Sequence, residues 1–332
     1  MAGGQLTRPA RVVRARMATM RAKRAHRAEV ARGAGKDASS DRTPIFILGA
    51  PRSGTTLLYQ LLIEGFDVGW LANAHAARPS EVAEVERVEQ PRAARTSSDW
   101  ESSHGRTREP WGPSEAEGYW YRFFDREPHE VTAENATMQR VTEIRRSVRE
   151  FADACCAPVV FKNVFNSLRI PVLARALPEA RFIHIERSLE PNARSLLVGR
   201  VQRGDVGVWW SAAPDGADAL KDASPAEQVT WQVEQMNRVA ARELAHLQTS
   251  QVLLVHYDEL CADPRGVLDR IEAWLVQGGV EIRRRADAVL PEQFERRAGG
   301  TLPAELEAEL AAAVAAAATR IAADAPNDGV AP

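Results

Sequence analysis

Residues 45–58 read Ile-Phe-Ile-Leu-Gly-Ala-Pro-Arg-Ser-Gly-Thr-Thr-Leu-Leu. The first four are apolar, as in a parallel β-strand that is covered on both faces. Gly49 and Gly54 bound the loop that follows, and glycine lets a backbone turn tightly and approach an anion. Backbone N–H groups at the start of the next helix then point at that anion, and the helix dipole adds to the attraction. The segment therefore predicts a strand, a phosphate-binding loop and a helix.

The loop differs from the nucleoside-triphosphate motif G-x-x-x-x-G-K-[ST] at one position. Gly49, Gly54 and Thr56 fit the motif, but Thr55 stands where the lysine is required. Because that lysine reaches the outer phosphates of ATP or GTP, a P-loop kinase or NTPase is the less favoured interpretation. The positive charge in the loop is instead Arg52, and a guanidinium binds a phosphate or sulfate with two parallel hydrogen bonds.

A second strand, turn and helix follow at residues 181–197, which read Arg-Phe-Ile-His-Ile-Glu-Arg-Ser-Leu-Glu-Pro-Asn-Ala-Arg-Ser-Leu-Leu. The first six residues alternate as in a strand, and the apolar spacing after Pro191 is helical. Arg187 then leaves the carboxyl end of the strand, and Ser195 lies about two turns into the helix, so both side chains can contact one phosphate. Taken alone, an arginine at a strand end equally suits a charged surface.

Together the two segments resemble the sulfotransferase superfamily, whose members use 3′-phosphoadenosine 5′-phosphosulfate (PAPS) as the sulfuryl donor. Pro51-Arg52-Ser53-Gly54-Thr55-Thr56 matches the family loop P-[KR]-S-G-T-[TS], which holds the 5′-phosphosulfate, in the form typical of the bacterial, Golgi-like branch. Arg187 and Ser195 match the family's arginine and serine that hold the 3′-phosphate. Tyr257 begins a segment similar to the late Y-E-x-L…x-P element, and the resemblance implies that it lies in the donor site too.

The resemblance implies an α/β fold of the sulfotransferase type, with a P-loop-like parallel sheet flanked by helices. Apolar runs at residues 45–48, 159–161, 182–185 and 252–255 predict at least four parallel strands joined by right-handed crossovers. Apolar residues at helical spacing between 138 and 151 and between 229 and 247 predict two helices that face the core.

The reaction that the resemblance implies is in-line transfer of a sulfuryl group from PAPS to a hydroxyl or amine. We expect the acceptor to be a small molecule such as a secondary metabolite, a glycan or other carbohydrate, or a lipid. Lys162 stands ahead of Arg187 as the family's leaving-group lysine does, and Arg52 would share its charge. The alternative role for Lys162 is an ion pair with a neighbouring carboxylate. The alternative function that involves no catalysis is a nucleotide-binding scaffold of the same fold.

The base that takes the acceptor's proton has no familiar candidate. Cytosolic members carry a histidine two residues after the lysine, where this chain has Val164, and tyrosine-modifying members carry a glutamate shortly after the first helix, where residues 71–73 are Leu-Ala-Asn. The next candidates are Glu115 and Glu117, because carboxylates beside aromatic residues gain proton affinity. Ser114 with Glu117 is also a capping box, which leaves a purely structural role open.

Residues 73–113 combine prolines, serines and scattered charges, which is typical of an insertion over a binding face. We expect this acceptor-side insertion to select the acceptor. His75 and His104 lie in it and are two further candidates for the base, although each also suits a surface loop. Five tryptophans are candidates for an acceptor pocket, and some of them equally suit the core: Trp100, Trp111, Trp120, Trp209 and Trp210.

Charge is distributed unevenly along the 332 residues. The formal net charge of the chain is −2, whereas residues 1–42 hold eleven Lys or Arg and three Asp or Glu, a net charge of +8. This charge predicts a mobile basic arm at 1–42, and an Ala- and Glu-rich stretch predicts a C-terminal helix and tail at 303–332. The resemblance implies that residues 43–302 form the sulfotransferase domain. The arm suits weak contact with acidic surfaces, while the charge of the whole chain indicates no specific nucleic-acid partner.

The remaining composition indicates a cytoplasmic protein that needs no metal. The sequence has no run of about 18 apolar residues and no secretory apolar segment near its start. Its three cysteines lack the spacing of a disulfide framework or of a metal site with histidine, and we interpret them as buried small residues.

Overall fold

The computed structural model describes residues 42–94, 98–102, 107–297 and 300–324. Its centre is a sheet built from β1 (Pro44–Leu48), β2 (Gly69–Trp70), β3 (Val159–Lys162), β4 (Arg181–Glu186) and β5 (Val252–His256). The strands lie in the order β2-β3-β1-β4-β5, and each neighbouring pair is parallel. The predicted α/β fold with a parallel sheet is confirmed. The sequence did not predict β2, because a strand of two residues is too short to show a period.

Helices cover both faces of the sheet. They are α1 (Thr55–Gly65), α2 (Asn73–Ala77), α3 (Val82–Glu89), α4 (Glu117–Trp120), α5 (Met138–Cys155), α6 (Ile170–Ala176), α7 (Leu189–Gln202), α8 (Pro225–Leu244), α9 (Tyr257–Ala262), α10 (Pro264–Gln277) and α11 (Ala304–Asp324). Short 3-10 turns occur at Pro91–Ala94, Val164–Leu168, Ala217–Leu220 and Thr249–Gln251. The helices that the sequence predicts after its two anion-binding turns are α1 and α7.

Alternation along β1 divides the core into two layers. Phe46 points to one face, where its ring stacks with Phe161 and Phe182 at centroid distances of 5.4 and 5.5 Å, and α5 and α6 cover these rings. Ile45 and Ile47 point to the other face, which α1 and α10 cover. Because β1 is central and buried along its whole length, the loop that follows it lies at the middle of the carboxyl edge of the sheet.

The segment after β2 is more regular than the sequence suggests. Residues 73–113 were predicted to be an irregular insertion, but α2 and α3 lie within them. Val82 and Val85 of α3 are buried, and this helix packs against α5. The period was missed because α3 is short and prolines and serines surround it.

Several sequence expectations concern small features of the chain. Cys155 and Cys261 are buried as predicted, but Cys156 is exposed, because it caps α5 in a left-handed conformation with a φ of 52°. Within the described ranges, no three His, Cys, Asp or Glu side chains form a group able to hold a metal ion. No helix in that part of the chain is long and apolar enough to cross a membrane. Apart from Arg42, the basic arm lies outside the described residues.

Candidate active site

Two glycines that have no room for a side chain shape the loop after β1. A Cβ atom on Gly54, whose φ is 103°, would lie 2.4 Å from the ring of Tyr257, and one on Gly49 would lie 2.6 Å from a carbonyl oxygen at the end of β4. Asn192 of α7 donates a hydrogen bond from Nδ2 to the carbonyl oxygen of Pro51 at 2.6 Å. The two anion-binding segments of the sequence are therefore packed against each other.

A cavity of about 360 Å³ opens at this edge of the sheet. The loop after β1, the ends of β3 and β4 and the start of α9 all contribute to its walls. It is lined by ten of the residues that the sequence singles out: Pro51, Arg52, Gly54, Thr55, Thr56, Glu115, Lys162, Arg187, Ser195 and Tyr257. Ser53 and Glu117 do not line it.

Arg52 and Arg187 lie next to each other in this cavity. Arg52 donates a hydrogen bond from Nε to Ser195 Oγ at 3.2 Å, and Arg187 donates one to the carbonyl oxygen of Arg52 at 3.1 Å. The guanidinium of Arg187 lies 4.4 Å from the centroid of the Tyr257 ring and also donates to the carbonyl oxygen of Arg297. These contacts orient the guanidinium of Arg187, and none of these three partners carries a negative charge.

Arg52 and Arg187 lie close together in a cavity whose lining includes four basic and four acidic side chains. Among the described residues, neither Arg52 nor Arg187 forms an ion pair with a carboxylate. Burial lowers the pKa of Arg52, and the charges of Arg187 and Arg297 lower it further. Burial also lowers the pKa of Arg187. Because the charged forms are less favourable here than in water, a bound anion would stabilise the cavity.

Lys162 ends β3 and forms an ion pair with Glu115. Its Nζ atom donates to Glu115 Oε1, and the Lys162 side chain is only 4% exposed. The second carboxylate oxygen of Glu115 accepts from the N–H of Val164 at 3.5 Å, and its carbonyl oxygen accepts from Asn163 Nδ2 at 3.0 Å. The ion pair that the sequence left as the alternative role of Lys162 is therefore present, and it lies in the cavity wall.

Glu117 has a different surrounding from Glu115. It begins α4, is exposed and lies outside the cavity. The alternative interpretation, a capping box of Ser114 with Glu117, is wrong, because Ala116 is the N-cap of α4 and its N–H donates to Ser114 Oγ at 3.1 Å. The structure thus brings one of the two candidate carboxylates to Lys162.

The other acceptor-side candidates are divided between the cavity and the core. Trp100 and Trp210 line the cavity, whereas Trp120 is buried in the core. His75 is fully buried in α2 and is not the surface-loop residue that the sequence allowed. His104 lies outside the described residues.

Sequence reasoning missed Arg297 and Ser211, which both line the cavity. The N–H of Arg297 donates to the hydroxyl of Tyr257 at 3.4 Å, and its carbonyl oxygen accepts from Arg187. An Arg-Arg pair at 296–297 is the only signal in the sequence, and it does not distinguish a cavity residue from a surface one. Ser211 has a left-handed φ of 75° in a loop that no motif marks.

Residues 44–278 match the model of the Sulfotransferase family, and they make up more than half of the chain. The chain belongs to the sulfotransferase family. No curated protein matches the sequence of this sulfotransferase.

Three of the solved structures that are similar to this sulfotransferase are bacterial sulfotransferases. Sulfotransferase STF9 from Mycobacterium avium has a TM-score of 0.52 and 18% identity, with 88% of this chain and 72% of that chain covered. Sulfotransferase STF1 from Mycobacterium tuberculosis has a TM-score of 0.48 and 15% identity, with coverages of 89% and 77%. A sulfotransferase from Alicyclobacillus acidocaldarius has a TM-score of 0.44 and 16% identity, with coverages of 86% and 96%. The likeness to STF9 supports the fold.

Proposed function

We propose that this sulfotransferase transfers a sulfuryl group from PAPS to a hydroxyl or amine of a small-molecule, glycan or lipid acceptor. The observation that carries the proposal is the single cavity lined by loop residues 51, 52 and 54–56 together with Arg187, Ser195 and Lys162. A donor with a phosphosulfate and a separate 3′-phosphate needs two anion-binding sites in one cavity. The loop and the Arg187–Ser195 pair are suited to be those sites.

The loop after β1 fits such a donor. Ser53 Oγ is buried and has no hydrogen-bond partner among the described atoms, which is unusual for a buried hydroxyl. We assign residues 51–56 to the 5′-phosphosulfate and Arg187 with Ser195 to the 3′-phosphate. Tyr257 supports the Arg187 guanidinium.

The chemistry follows from the charges around the loop. When bound, PAPS supplies the sulfuryl group and leaves as adenosine 3′,5′-bisphosphate. Lys162 Nζ and the Arg52 guanidinium stabilise the negative charge on the leaving phosphate oxygen. A carboxylate oxygen of Glu115 takes the proton from the acceptor hydroxyl or amine as the new bond to sulfur forms. Since Glu115 is paired with Lys162, its protonation releases the lysine charge for the leaving group.

Two rival functions have less support. A kinase or NTPase lacks the triphosphate-binding lysine, because Thr55 occupies that position in the loop. A non-catalytic scaffold does not account for the Lys162–Glu115 pair beside the anion-binding loop. The cytoplasmic location stays a prediction from the sequence.

Calorimetry with two nucleotides tests the donor assignment. We expect the protein to bind adenosine 3′,5′-bisphosphate on the order of tenfold to a hundredfold more tightly than adenosine 5′-monophosphate, because only the first reaches Arg187 and Ser195. Equal affinity for the two nucleotides, or no binding of either, would contradict the proposal.

A further inference from the structure

We propose that Asn73 is a positioning residue that holds Glu115 beside Lys162. This inference rests on the proposed function, in which Glu115 takes the proton of the acceptor. Glu115 belongs to the segment 107–116, which contains no helix and no named strand. A carboxylate on such a segment keeps its place only if other residues fix the segment.

The chain directly after β2 fixes this segment through its backbone. The N–H of Ser114 donates to the carbonyl oxygen of Leu71 at 2.8 Å, and the N–H of Asn73 donates to the carbonyl oxygen of Gly112 at 3.0 Å. The two stretches also form an isolated antiparallel bridge. Ser114 is the residue before Glu115, so these bonds fix the backbone position from which the Glu115 side chain extends.

The side-chain amide of Asn73 binds the same segment a second time. Its Nδ2 atom lies 2.8 Å from the carbonyl oxygen of Glu109, 3.2 Å from that of Thr107, and 3.1 Å from Thr107 Oγ1. Carbonyl oxygens only accept hydrogen bonds, so the nitrogen of the amide must face them. Thr107 Oγ1 in turn donates to the carbonyl oxygen of Pro113 at 3.0 Å. The amide therefore closes residues 107–113 into a loop that ends at Ser114.

Aspartate cannot replace asparagine in this arrangement, although it has nearly the same size. Both of its oxygens accept, so Asn73→Asp would place a carboxylate against the carbonyl oxygens of Glu109 and Thr107. A negative charge is favourable in the first turn of a helix, where residue 73 lies in α2. The substitution therefore removes the hydrogen bonds that fix residues 107–113 and leaves α2 intact.

Amine labelling reports the pairing of Lys162 without any acceptor. Lys162 is one of four lysines in the chain, and the exposed Lys221 serves as an internal reference. Acetic anhydride labels an amine that is accessible and unpaired. We expect the Lys162-to-Lys221 acetylation ratio, measured by mass spectrometry, to rise about tenfold in Glu115→Gln, which loses a charge-assisted bond. The ratio should rise several-fold in Asn73→Asp.

Two controls distinguish the loss of the Asn73 hydrogen bonds from a general effect of the added negative charge. Asn135→Asp adds the same charge at an exposed asparagine and should leave the ratio unchanged. Adding Asn73→Asp to Glu115→Gln should give no further rise, because the pair is already lost. A wild-type ratio in Asn73→Asp alongside a raised ratio in Glu115→Gln would overturn the role of Asn73. If circular dichroism shows that Asn73→Asp is unfolded, Thr107→Val removes the hydroxyl of the same anchor and is judged by the same ratio.

Nucleotide binding distinguishes failure of this inference from failure of the proposed function. Asn73 does not line the cavity, so the Kd of Asn73→Asp for adenosine 3′,5′-bisphosphate should stay within about twofold of the wild-type value. If the wild-type protein does not bind this nucleotide, the proposed function is wrong and the inference falls with it. If the nucleotide binds and the labelling of Lys162 does not respond to Asn73→Asp, only the inference about Asn73 is wrong.

Discussion

At the scale of single residues, Arg187 shows how the cavity keeps its charge available. The guanidinium is oriented by the Tyr257 ring and by the carbonyl oxygens of Arg52 and Arg297, and none of these partners carries a negative charge. A side chain held in this way loses little further freedom when it binds an anion, which favours affinity. Substitutions at this residue and at its neighbour Ser195 therefore test the selectivity of the site.

Arg187→Ala and Ser195→Ala should weaken the binding of adenosine 3′,5′-bisphosphate while hardly changing that of adenosine 5′-monophosphate. Loss of a hydrogen bond to a charged group costs about 1.5–3 kcal/mol, which is on the order of tenfold to a hundredfold in affinity. Calorimetry measures the Kd of each variant for both nucleotides. Arg283→Ala, at an arginine that is 81% exposed, is the matched control and should behave as wild type. Equal losses for both nucleotides would make Arg187 and Ser195 structural residues.

Lys162→Ala should lower kcat much more than it lowers donor affinity. The proposed contact of Lys162 strengthens as charge develops on the leaving oxygen, so its loss is felt mainly in the transition state. The measurement pairs the rate of release of adenosine 3′,5′-bisphosphate from PAPS with the Kd of that product. A fall in the rate matched by a rise of the same factor in the Kd would assign Lys162 to ground-state binding.

At the scale of elements, α11 lies beyond the residues that match the family and still supports the site. Its residues Leu310 and Ala317 are buried, and it packs against α7 and α8. Glu307 of α11 also pairs with Arg194 at 2.5 Å, and Arg194 precedes Ser195 in α7. These contacts link the C-terminal helix to the helix that carries the proposed 3′-phosphate contact.

Removal of residues 304–332 should destabilise the protein by at least about 2 kcal/mol, the value of one fully buried leucine. The removal leaves the apolar faces of α7 and α8 uncovered, and a thermal melt measures the loss. Removal of residues 325–332 alone is the control and should leave the melting temperature unchanged. If the chain that ends at residue 303 had the same melting temperature as the full-length chain, α11 would contribute nothing to the stability of the core.

His184 in β4 makes the free energy of unfolding depend on pH. Its side chain is 3% exposed, and burial lowers its pKa to about 4 from the ordinary 6.5. The unfolded chain then binds a proton that the folded chain does not bind, so the free energy of unfolding falls as the pH drops from 6.5 towards 4. Between pH 7 and pH 5 the loss should be about 2 kcal/mol. Urea melts of His184→Gln should show a shallower pH slope than the wild type, and an unchanged slope would exclude His184 as its source.

At the scale of the whole molecule, strand order brings the site together. β3, β1, β4 and β5 are neighbours, so Lys162, the loop after β1, Arg187 and Tyr257 follow one another along a single edge of the sheet. Within the described ranges, the residues that line the cavity lie between positions 51 and 297.

Deletion of residues 1–40 should leave the melting temperature and the Kd for adenosine 3′,5′-bisphosphate unchanged. The arm is rich in arginine and lacks an apolar face that would pack on a core. Calorimetry and a thermal melt of the shortened chain check both quantities. A clear fall in the melting temperature would show that the arm packs against the rest of the protein.

The sequence by itself determined the features that depend on neighbouring residues. The apolar run of β1, the glycine-bounded loop and the start of α1 are local, since backbone conformation and hydrophobic period are properties of a few adjacent residues. For the same reason the unit that carries Arg187 and Ser195 was predicted with its strand and helix in place.

Only the tertiary structure decided which side chains meet across long separations. Glu115 and Glu117 look alike in the sequence, yet the turn at Ala116 sends the first to Lys162 and the second to the surface. Arg297 reaches the cavity through the packing of its segment on Tyr257. Such contacts arise because burial and hydrogen bonding are satisfied over the whole chain at once, and no short window of sequence contains the partners that make them.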